Sequence, residues 1–144
     1  MTHRDNNNKL TALFVLLVSG FWMSLAFAET SIDSVRLHRA PDHTRIVFDL
    51  PAPVDHKLDK LANPDRIVLD LLDASLGFDV NTLDYVSSPI ANIRVGKHSD
   101  KTRVVFDMKD GVRTRTNLLK PIEPHGWRLV VDLFDSELQS PAKT

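Results

Sequence analysis

The chain has 144 residues, of which 18 are lysine or arginine and 19 are aspartate or glutamate, so its formal net charge at pH 7 is −1. This balance excludes the strongly basic composition of a nucleic-acid binder, and the absence of cysteine excludes disulfides and thiol chemistry. The charge is uneven, because residues 29–85 hold 6 basic and 11 acidic side chains whereas residues 86–144 hold 10 basic and 7 acidic ones. This asymmetry permits an anionic partner on the second half, although a solvated surface without any partner explains it equally well.

The first segment is typical of an export signal. Residues 1–9 are polar and include two basic side chains, residues 10–28 carry no charge, and Ala26-Phe27-Ala28 provides a small-residue cleavage site. We therefore predict a secretory signal peptide over residues 1–28, cleaved after Ala28, with a retained inner-membrane anchor as the alternative. An exported domain without cysteine fits the bacterial periplasm, where it must be held together by packing alone.

The remainder of the chain is an internal duplication. Three segments of the first half match three of the second in the same order: 32–37 with 90–95, 44–50 with 102–108, and 66–73 with 128–135. A repeat of this kind indicates two copies of one supersecondary unit. We expect a single domain over residues 29–135, built from half repeats at about 32–73 and 90–135.

Each half contains four short runs that favour β-strands and none that favours a helix. The runs are rich in Val, Ile, Phe and Thr, and turn sequences with proline, aspartate or glycine separate them. The predicted strands are Ile32–Arg39, Thr44–Leu50, Val54–Leu58, Arg66–Leu72, Ile90–Lys97, Thr102–Met108, Val112–Leu118 and Trp127–Phe134. This succession predicts an all-β fold, a β-sandwich of two similar and roughly four-stranded sheets. We also expect a short helical turn within Ser75–Leu83 and a disordered polar tail over residues 136–144.

One seven-residue pattern occurs four times within the predicted strands: TRIVFDL from Thr44, DRIVLDL from Asp65, TRVVFDM from Thr102 and WRLVVDL from Trp127. Side chains of a strand alternate between two faces, so each heptad has one apolar face and one face that reads Arg, Val, Asp. The apolar faces predict twelve core residues: Ile46, Phe48, Leu50, Ile67, Leu69, Leu71, Val104, Phe106, Met108, Leu129, Val131 and Leu133.

The charged face of the heptads predicts cross-strand ion pairs that specify the pairing register of the strands. If the two heptad strands of one half are antiparallel neighbours, opposite charges meet across the strands and stabilise each pair by roughly 0.2–1 kcal/mol. The predicted pairs are Arg45 with Asp70, Asp49 with Arg66, Arg103 with Asp132, and Asp107 with Arg128. The alternative is that the rows of arginine bind an anionic sugar polymer, and the two roles are compatible.

No arrangement of residues indicates catalysis. The sequence has no Gly-x-Ser-x-Gly motif, no cysteine and only five glycines, which excludes the common nucleophile and phosphate-loop motifs. His38 and His43 flank one turn and can approach each other, but surface histidines are a better interpretation than a metal site. The sequence therefore predicts a binding module that is not an enzyme and has no cofactor or metal.

Exposed basic and aromatic residues are the candidates for binding. Arg36 and Arg94 occupy equivalent positions in the two halves and, by alternation, face away from their apolar neighbours. Arg113 and Arg115 add positive charge that only the second half has. Trp127 begins a strand beside a turn, where an indole can stack on a sugar ring, although partly buried packing is the plainer interpretation.

The ordered set of motifs resembles an AMIN domain. The resemblance rests on Ile-x-x-Val-Arg-Leu from Ile32, on the related segment Ile90–Lys97 and on the four heptads, and it covers residues 31–135. AMIN domains are known as N-terminal modules of periplasmic N-acetylmuramoyl-L-alanine amidases and also occur in type IV pilus secretins. The resemblance implies a β-sandwich of two symmetric four-stranded sheets that binds peptidoglycan and directs an enzyme to the division site.

The resemblance leads us to expect a non-catalytic periplasmic module that binds peptidoglycan, here without a following amidase or secretin domain. The alternative is a protein-interaction module of an envelope complex, either the cell-division machinery or a pilus secretin. We expect no nucleic-acid partner, and contact with the membrane only if the signal segment is retained.

Overall fold

The computed structural model describes residues 29–135, so the predicted signal peptide and the predicted tail lie outside the described residues. Within this range, no helix is long and apolar enough to cross a membrane. The described elements are β1 (Thr30–Ile32), β2 (Ser34–Arg39), β3 (His43–Leu50), β4 (His56–Leu61), β5 (Arg66–Leu72), β6 (Ala74–Leu76), a 3-10 turn (Val80–Thr82), β7 (Ile90–Lys97), β8 (Lys101–Met108), β9 (Val112–Leu119) and β10 (Trp127–Asp135).

The predicted β-sandwich is confirmed. Sheet I has the strand order β2-β3-β10-β9 and sheet II has the order β4-β5-β8-β7, and both are antiparallel. The short strands β1 and β6 form a separate parallel pair. Each sheet takes two strands from the first half and two from the second, so the two halves interlock instead of forming one sheet each.

Most strand boundaries follow the sequence prediction, with three differences. The predicted strand Ile32–Arg39 is divided into β1 and β2, and β6 was not expected. The predicted strand Val54–Leu58 is shifted along the chain, and β4 spans His56–Leu61. The helical turn expected within Ser75–Leu83 is the 3-10 turn, and the carboxylate of Asp79 caps it by accepting the N–H of Asn81 at 2.9 Å.

The core lies between the two sheets. All twelve apolar side chains assigned to it from the heptads are buried there, and Met108, the most accessible of them, has a relative exposure of 8%. The four heptads form the central strands β3, β10, β5 and β8, which have a neighbour on each side. Central strands bury their inner face completely, which explains why the apolar alternation is strictest there.

The charge pairs of the heptads connect the two halves, which shows that the predicted partners were wrong. Arg45 lies opposite Asp132 in sheet I, and Arg103 lies opposite Asp70 in sheet II. The other two oppositions are Asp49 with Arg128 and Arg66 with Asp107. Every predicted pair instead has one member in each sheet. All four heptads carry the same pattern, so any two of them match opposite charges in this register, and the pattern cannot identify the neighbour.

Candidate ligand-binding surface

The outer face of sheet I is predominantly basic. Strand alternation places every second side chain of β2, β3, β10 and β9 on this face, and the cross-strand register aligns them in rows. Its charged residues are Arg36, Arg45, Arg113, Arg115, Arg128, Asp49 and Asp132. Five arginines against two aspartates give this face a net positive charge, with His38 and His43 beside them.

Arg45 and Asp132 fix the centre of this face. Arg45 donates to Asp132 from Nε at 2.7 Å and from Nη2 at 2.9 Å, the bidentate geometry that guanidinium and carboxylate groups favour. The side chain of Asp132 is only 3% exposed, whereas that of Arg45 is 48% exposed. The pair therefore satisfies a buried carboxylate, and this arginine has a structural role.

Arg36 also has a partner. It donates to both carboxylate oxygens of Asp49, from Nη2 at 2.8 Å and from Nε at 3.0 Å. Burial raises the pKa of Asp49, but the hydrogen bonds from Arg36 and Ser34 outweigh this effect and hold that pKa below its ordinary value. The Arg36 side chain remains more than half exposed, so it can contact a ligand without leaving the ion pair.

Arg113, Arg115, Phe134 and His43 form a group that we call the Phe134 cluster. Phe134 faces Arg113 on β9 and His43 on β3. The guanidinium carbons of Arg113 and Arg115 lie 5.1 and 5.8 Å from the centre of the Phe134 ring, and the His43 ring centre lies at 5.4 Å. These distances fit cation–π contacts. Both arginines are exposed, and neither forms an ion pair with any residue between 29 and 135.

Arg94 lies on the opposite side of the sandwich, on the outer face of sheet II. It donates to both oxygens of Asp107, at 2.8 and 2.7 Å, and this hydrogen bonding lowers the pKa of Asp107. Asp70 on the same face has a pKa held well below its ordinary range by hydrogen bonds from Arg103 and Lys101, which outweigh its burial. Arg94 therefore cannot share one flat surface with the other candidate arginines.

Trp127 lies on the core side of β10. It precedes Arg128, whose position is on the outer face, and its half-buried side chain packs against the core cluster. The five candidates from the sequence are thus divided into three groups. Arg36, Arg113 and Arg115 share the outer face of sheet I, Arg94 is on the far face, and Trp127 lies at the end of the sandwich.

A cavity of about 300 Å³ lies on the core side of strands β9 and β10, across the sheet from the Phe134 cluster. Its wall includes Val112 and Asp135, the chain neighbours of Arg113 and Phe134 in the paired strands β9 and β10. The other lining residues are Arg39, Ser87, Ser88, Pro89, Lys109, Asp110 and Gly111. Both basic residues of its lining already have partners, since Arg39 donates to Asp135 at 2.9 Å and Lys109 donates to the carbonyl oxygens of Val86 and Ser88.

The titratable residues of the described range form no metal centre. Between residues 29 and 135, no group of three or more histidine, aspartate or glutamate side chains is placed to hold a metal ion. His38 is exposed on the outer face of β2. His43 instead interacts with Asp42, with 2.7 Å between Nδ1 and Oδ1, and this hydrogen bond lowers the pKa of Asp42.

The sequence analysis did not select Phe134 or His43 as candidates for ligand binding, although one signal was present for Phe134. Phe134 follows Arg128, Val130 and Asp132 at every second position, which places an aromatic ring on the polar face of the strand. The equivalent residue of the first half is Leu72. The sequence therefore contained a signal for Phe134: an aromatic residue on the same strand face as the charged residues, present in only one of the two halves.

Comparison with known proteins agrees with the family suggested by the motifs. The family model of the AMIN domain matches residues 34–133. An N-acetylmuramoyl-L-alanine amidase AmiC from Escherichia coli is 31% identical over 133 residues, which is 89% of this chain and 31% of the amidase. The AmiC amidase of Neisseria meningitidis is 28% identical over 106 residues, which is 70% of this chain and 26% of that protein. The chain thus spans less than one third of the length of either relative. Since the family model covers well over half of its residues, this chain belongs to the AMIN domain family.

Proposed function

We propose that this protein is a non-catalytic periplasmic module that binds peptidoglycan through the outer face of sheet I. The family membership carries the proposal, and the names of the relatives state that they act at N-acetylmuramoyl-L-alanine, a component of the cell wall. Residues 1–28 have the pattern of an export signal, which supports a periplasmic location.

The outer face of sheet I suits an extended polymer that carries acidic groups. A four-stranded sheet is about 14 Å wide from first to last strand, and on this sheet three exposed arginines of the candidate set project from the two edge strands. Arg36 on β2 and the pair on β9 can therefore contact one strand of polymer at two separate points. Several weak contacts along one polymer add up, because the second contact forms at a high effective concentration.

Sedimentation with isolated sacculi tests the proposal. The purified chain should sediment with peptidoglycan at about 0.15 M salt, and Arg115→Gln should reduce the bound fraction. Lys57→Gln is the matched control, since Lys57 holds the position equivalent to Arg115 on sheet II and faces Asp70 as Arg115 faces Asp132. A chain that stays in the supernatant at this salt concentration is not a peptidoglycan-binding module.

A second candidate function is that of a protein-interaction module in an envelope complex, such as the division machinery or a pilus secretin. The edge strand β9 favours it, because edge strands leave backbone groups available for another chain. Leu119 at the end of this strand and Ile122 just beyond it are 38% and 69% exposed, which adds apolar surface. Crosslinking in cells whose wall has been digested distinguishes the two functions, since a protein partner remains captured after the wall is removed.

The absence of catalysis is tested separately. We infer it from the extent of the family match, which lies within the AMIN domain over residues 34–133. Peptidoglycan incubated with the purified chain and Zn²⁺ should release neither stem peptides nor muropeptides into solution. Release of stem peptides above a protein-free control would instead identify the chain as an amidase.

A further inference from the structure

We propose that the Phe134 cluster is a carboxylate-binding site and that the groups it binds are the carboxylates of peptidoglycan. This inference rests on the proposed function and adds which chemical group is recognised and where. The chemistry follows from the two guanidinium groups, whose planar N–H donors match the geometry of a carboxylate.

The cluster holds its two arginines ready for a ligand. Arg113 and Arg115 are two residues apart in β9, so their side chains project from the same face about 7 Å apart along the strand. Both guanidinium groups rest on the Phe134 ring, which limits their rotamers before a ligand arrives. Binding then costs less side-chain entropy than it would with two free arginines.

Four of the other arginines on the outer sheet faces are used differently, whereas Arg66 and Arg128 are only partly exposed and likewise form no ion pair within residues 29–135. Arg36, Arg45, Arg94 and Arg103 each donate two hydrogen bonds to an aspartate, and these four contacts recur at equivalent positions of the two sheets. Arg113 and Arg115 have no such carboxylate within residues 29–135. Asp132 faces Arg115 across the strands but already accepts two hydrogen bonds from Arg45, and Asp42 is engaged by His43.

The duplication provides an internal comparison. The residues of sheet II at the four positions equivalent to the cluster are Asp55, Lys57, Leu72 and Lys101. They include no aromatic ring and no arginine, yet sheet II has the same strand order and register as sheet I. The fold therefore does not require the cluster, whereas it keeps the arginine–aspartate pairs in both sheets. A feature that the fold does not need, with unsatisfied charge at the surface, indicates recognition of a ligand.

The carboxylates of the cell wall have two sources. Stem peptides carry free carboxylates at their termini and side chains, and the lactyl group of muramic acid becomes a carboxylate once its stem is removed. Intact sacculi keep most of their stems, so the stem peptide supplies most of the free carboxylates and is the expected source. The shared chemistry is the carboxylate, and the two sources are separated by experiment.

The test measures binding to sacculi before and after their carboxylates are converted to amides with a carbodiimide and ammonia. The full chain should bind amidated sacculi about tenfold more weakly than untreated sacculi, since each lost charge-assisted contact weakens binding by about that factor. Arg113→Gln/Arg115→Gln should bind untreated sacculi more weakly than the unmodified chain does and should lose little further affinity when the sacculi are amidated. Lys57→Gln, which removes one positive charge from the equivalent edge of sheet II, should behave like the unmodified chain.

The conservative double variant Arg113→Lys/Arg115→Lys distinguishes bidentate binding by planar guanidinium groups from attraction by positive charge alone. It keeps both charges but loses the planar donors, so we expect it to recover less than half of the lost affinity. Because both arginines are exposed on an edge strand, their replacement should not disturb the fold. Thermal unfolding followed by circular dichroism should therefore be the same for every variant as for the unmodified chain. Full recovery with lysine would reduce the cluster to a non-specific positive patch and overturn the proposal.

Two further probes identify the source of the carboxylate. Soluble stem peptides should compete with sacculi for the chain, whereas glycan strands stripped of their stems should compete less well. Equal binding to amidated and untreated sacculi overturns the carboxylate site and leaves the proposed function intact. If the chain binds no sacculi at all, both the carboxylate site and the proposed function are overturned. If the chain binds anionic phospholipid vesicles through these arginines while its binding to sacculi is unaffected by amidation, the cluster is a phosphate site instead.

Discussion

Arg45 donates two hydrogen bonds to Asp132, a residue 87 positions further along the chain and in the other half of the duplication. The corresponding contact in sheet II joins Arg103 to Asp70, again across the halves. The repeat is therefore not two small domains placed side by side. Neither half holds a complete four-stranded sheet, so we expect the two halves to fold as one cooperative unit.

The contact between Arg45 and Asp132 predicts a measurable coupling. Arg45→Ala should lower the free energy of unfolding by about 1–3 kcal/mol, because it leaves a buried carboxylate without its donors. The double variant Arg45→Ala/Asp132→Ala should be more stable than the sum of the single changes implies. Chemical denaturation of the four proteins measures this difference.

The control for that cycle is Arg45 with Asp70. These residues lie on opposite outer faces of the sandwich, so their effects should add to within about 0.5 kcal/mol. Strong coupling between Arg45 and Asp70, together with additive effects for Arg45 and Asp132, would show that the two heptad strands of each half pair with each other.

Acid should destabilise the protein through three paired aspartates. The pKa values of Asp49, Asp70 and Asp107 are all lowered in the folded chain, through hydrogen bonds from arginine, and for Asp70 also from lysine. A carboxylate whose folded pKa is below its unfolded value of about 3.9 contributes its full stabilisation above that value and loses it as the pH falls. The free energy of unfolding should therefore decline from about pH 5 downwards.

Asp70→Asn isolates one part of this pH dependence. The variant should be less stable than the unmodified chain at pH 7, and the gap should narrow between pH 5 and pH 3, because asparagine does not titrate. Urea denaturation at fixed pH values measures it. A gap that stays constant over this range would exclude Asp70 as a source of the acid sensitivity.

The two phenylalanines of the heptads should be equally important to the core. Phe48 and Phe106 occupy equivalent positions on the central strands β3 and β8, and each is 1% exposed. Replacing either with alanine leaves a large cavity and should lower the free energy of unfolding by about 3–5 kcal/mol. Val86→Ala is the control, since Val86 is 81% exposed and should change stability by less than about 0.5 kcal/mol. Markedly unequal costs for the two phenylalanines would show that the halves do not share the core evenly.

Arg36 and Arg94 provide a matched pair for locating the binding face. Each occupies the same position in its half, each is a bidentate partner of an aspartate, and their side chains are 55% and 54% exposed. Glutamine at either position should therefore destabilise the fold to a similar extent. Binding to sacculi should fall about two- to fivefold for Arg36→Gln, which is on the outer face of sheet I, and remain unchanged for Arg94→Gln. The opposite order would place the binding face on sheet II.

Much of the fold could be predicted from the four heptads. Their period of two identified twelve side chains of the core, all of which are buried, and the spacing of the apolar runs identified the eight main strands. Side-chain alternation is a local property of an extended chain, so it can be read from neighbouring residues. The motifs also indicated the AMIN domain family, since their order along the chain is itself a feature of the sequence.

The partners of Arg45 and Asp70 were decided only by the tertiary structure. Four strands with the same pattern of charges are interchangeable electrostatically, and the choice among them depends on how two interlocked halves best bury their apolar faces. The Phe134 cluster has the same origin, because β9 and β10 bring Arg113 opposite Phe134, and β3 adds His43 from more than 60 residues away. Alternation along each strand therefore shows which side faces the core, whereas the packing of the two sheets sets which charges meet and which arginines have no carboxylate partner within the described residues.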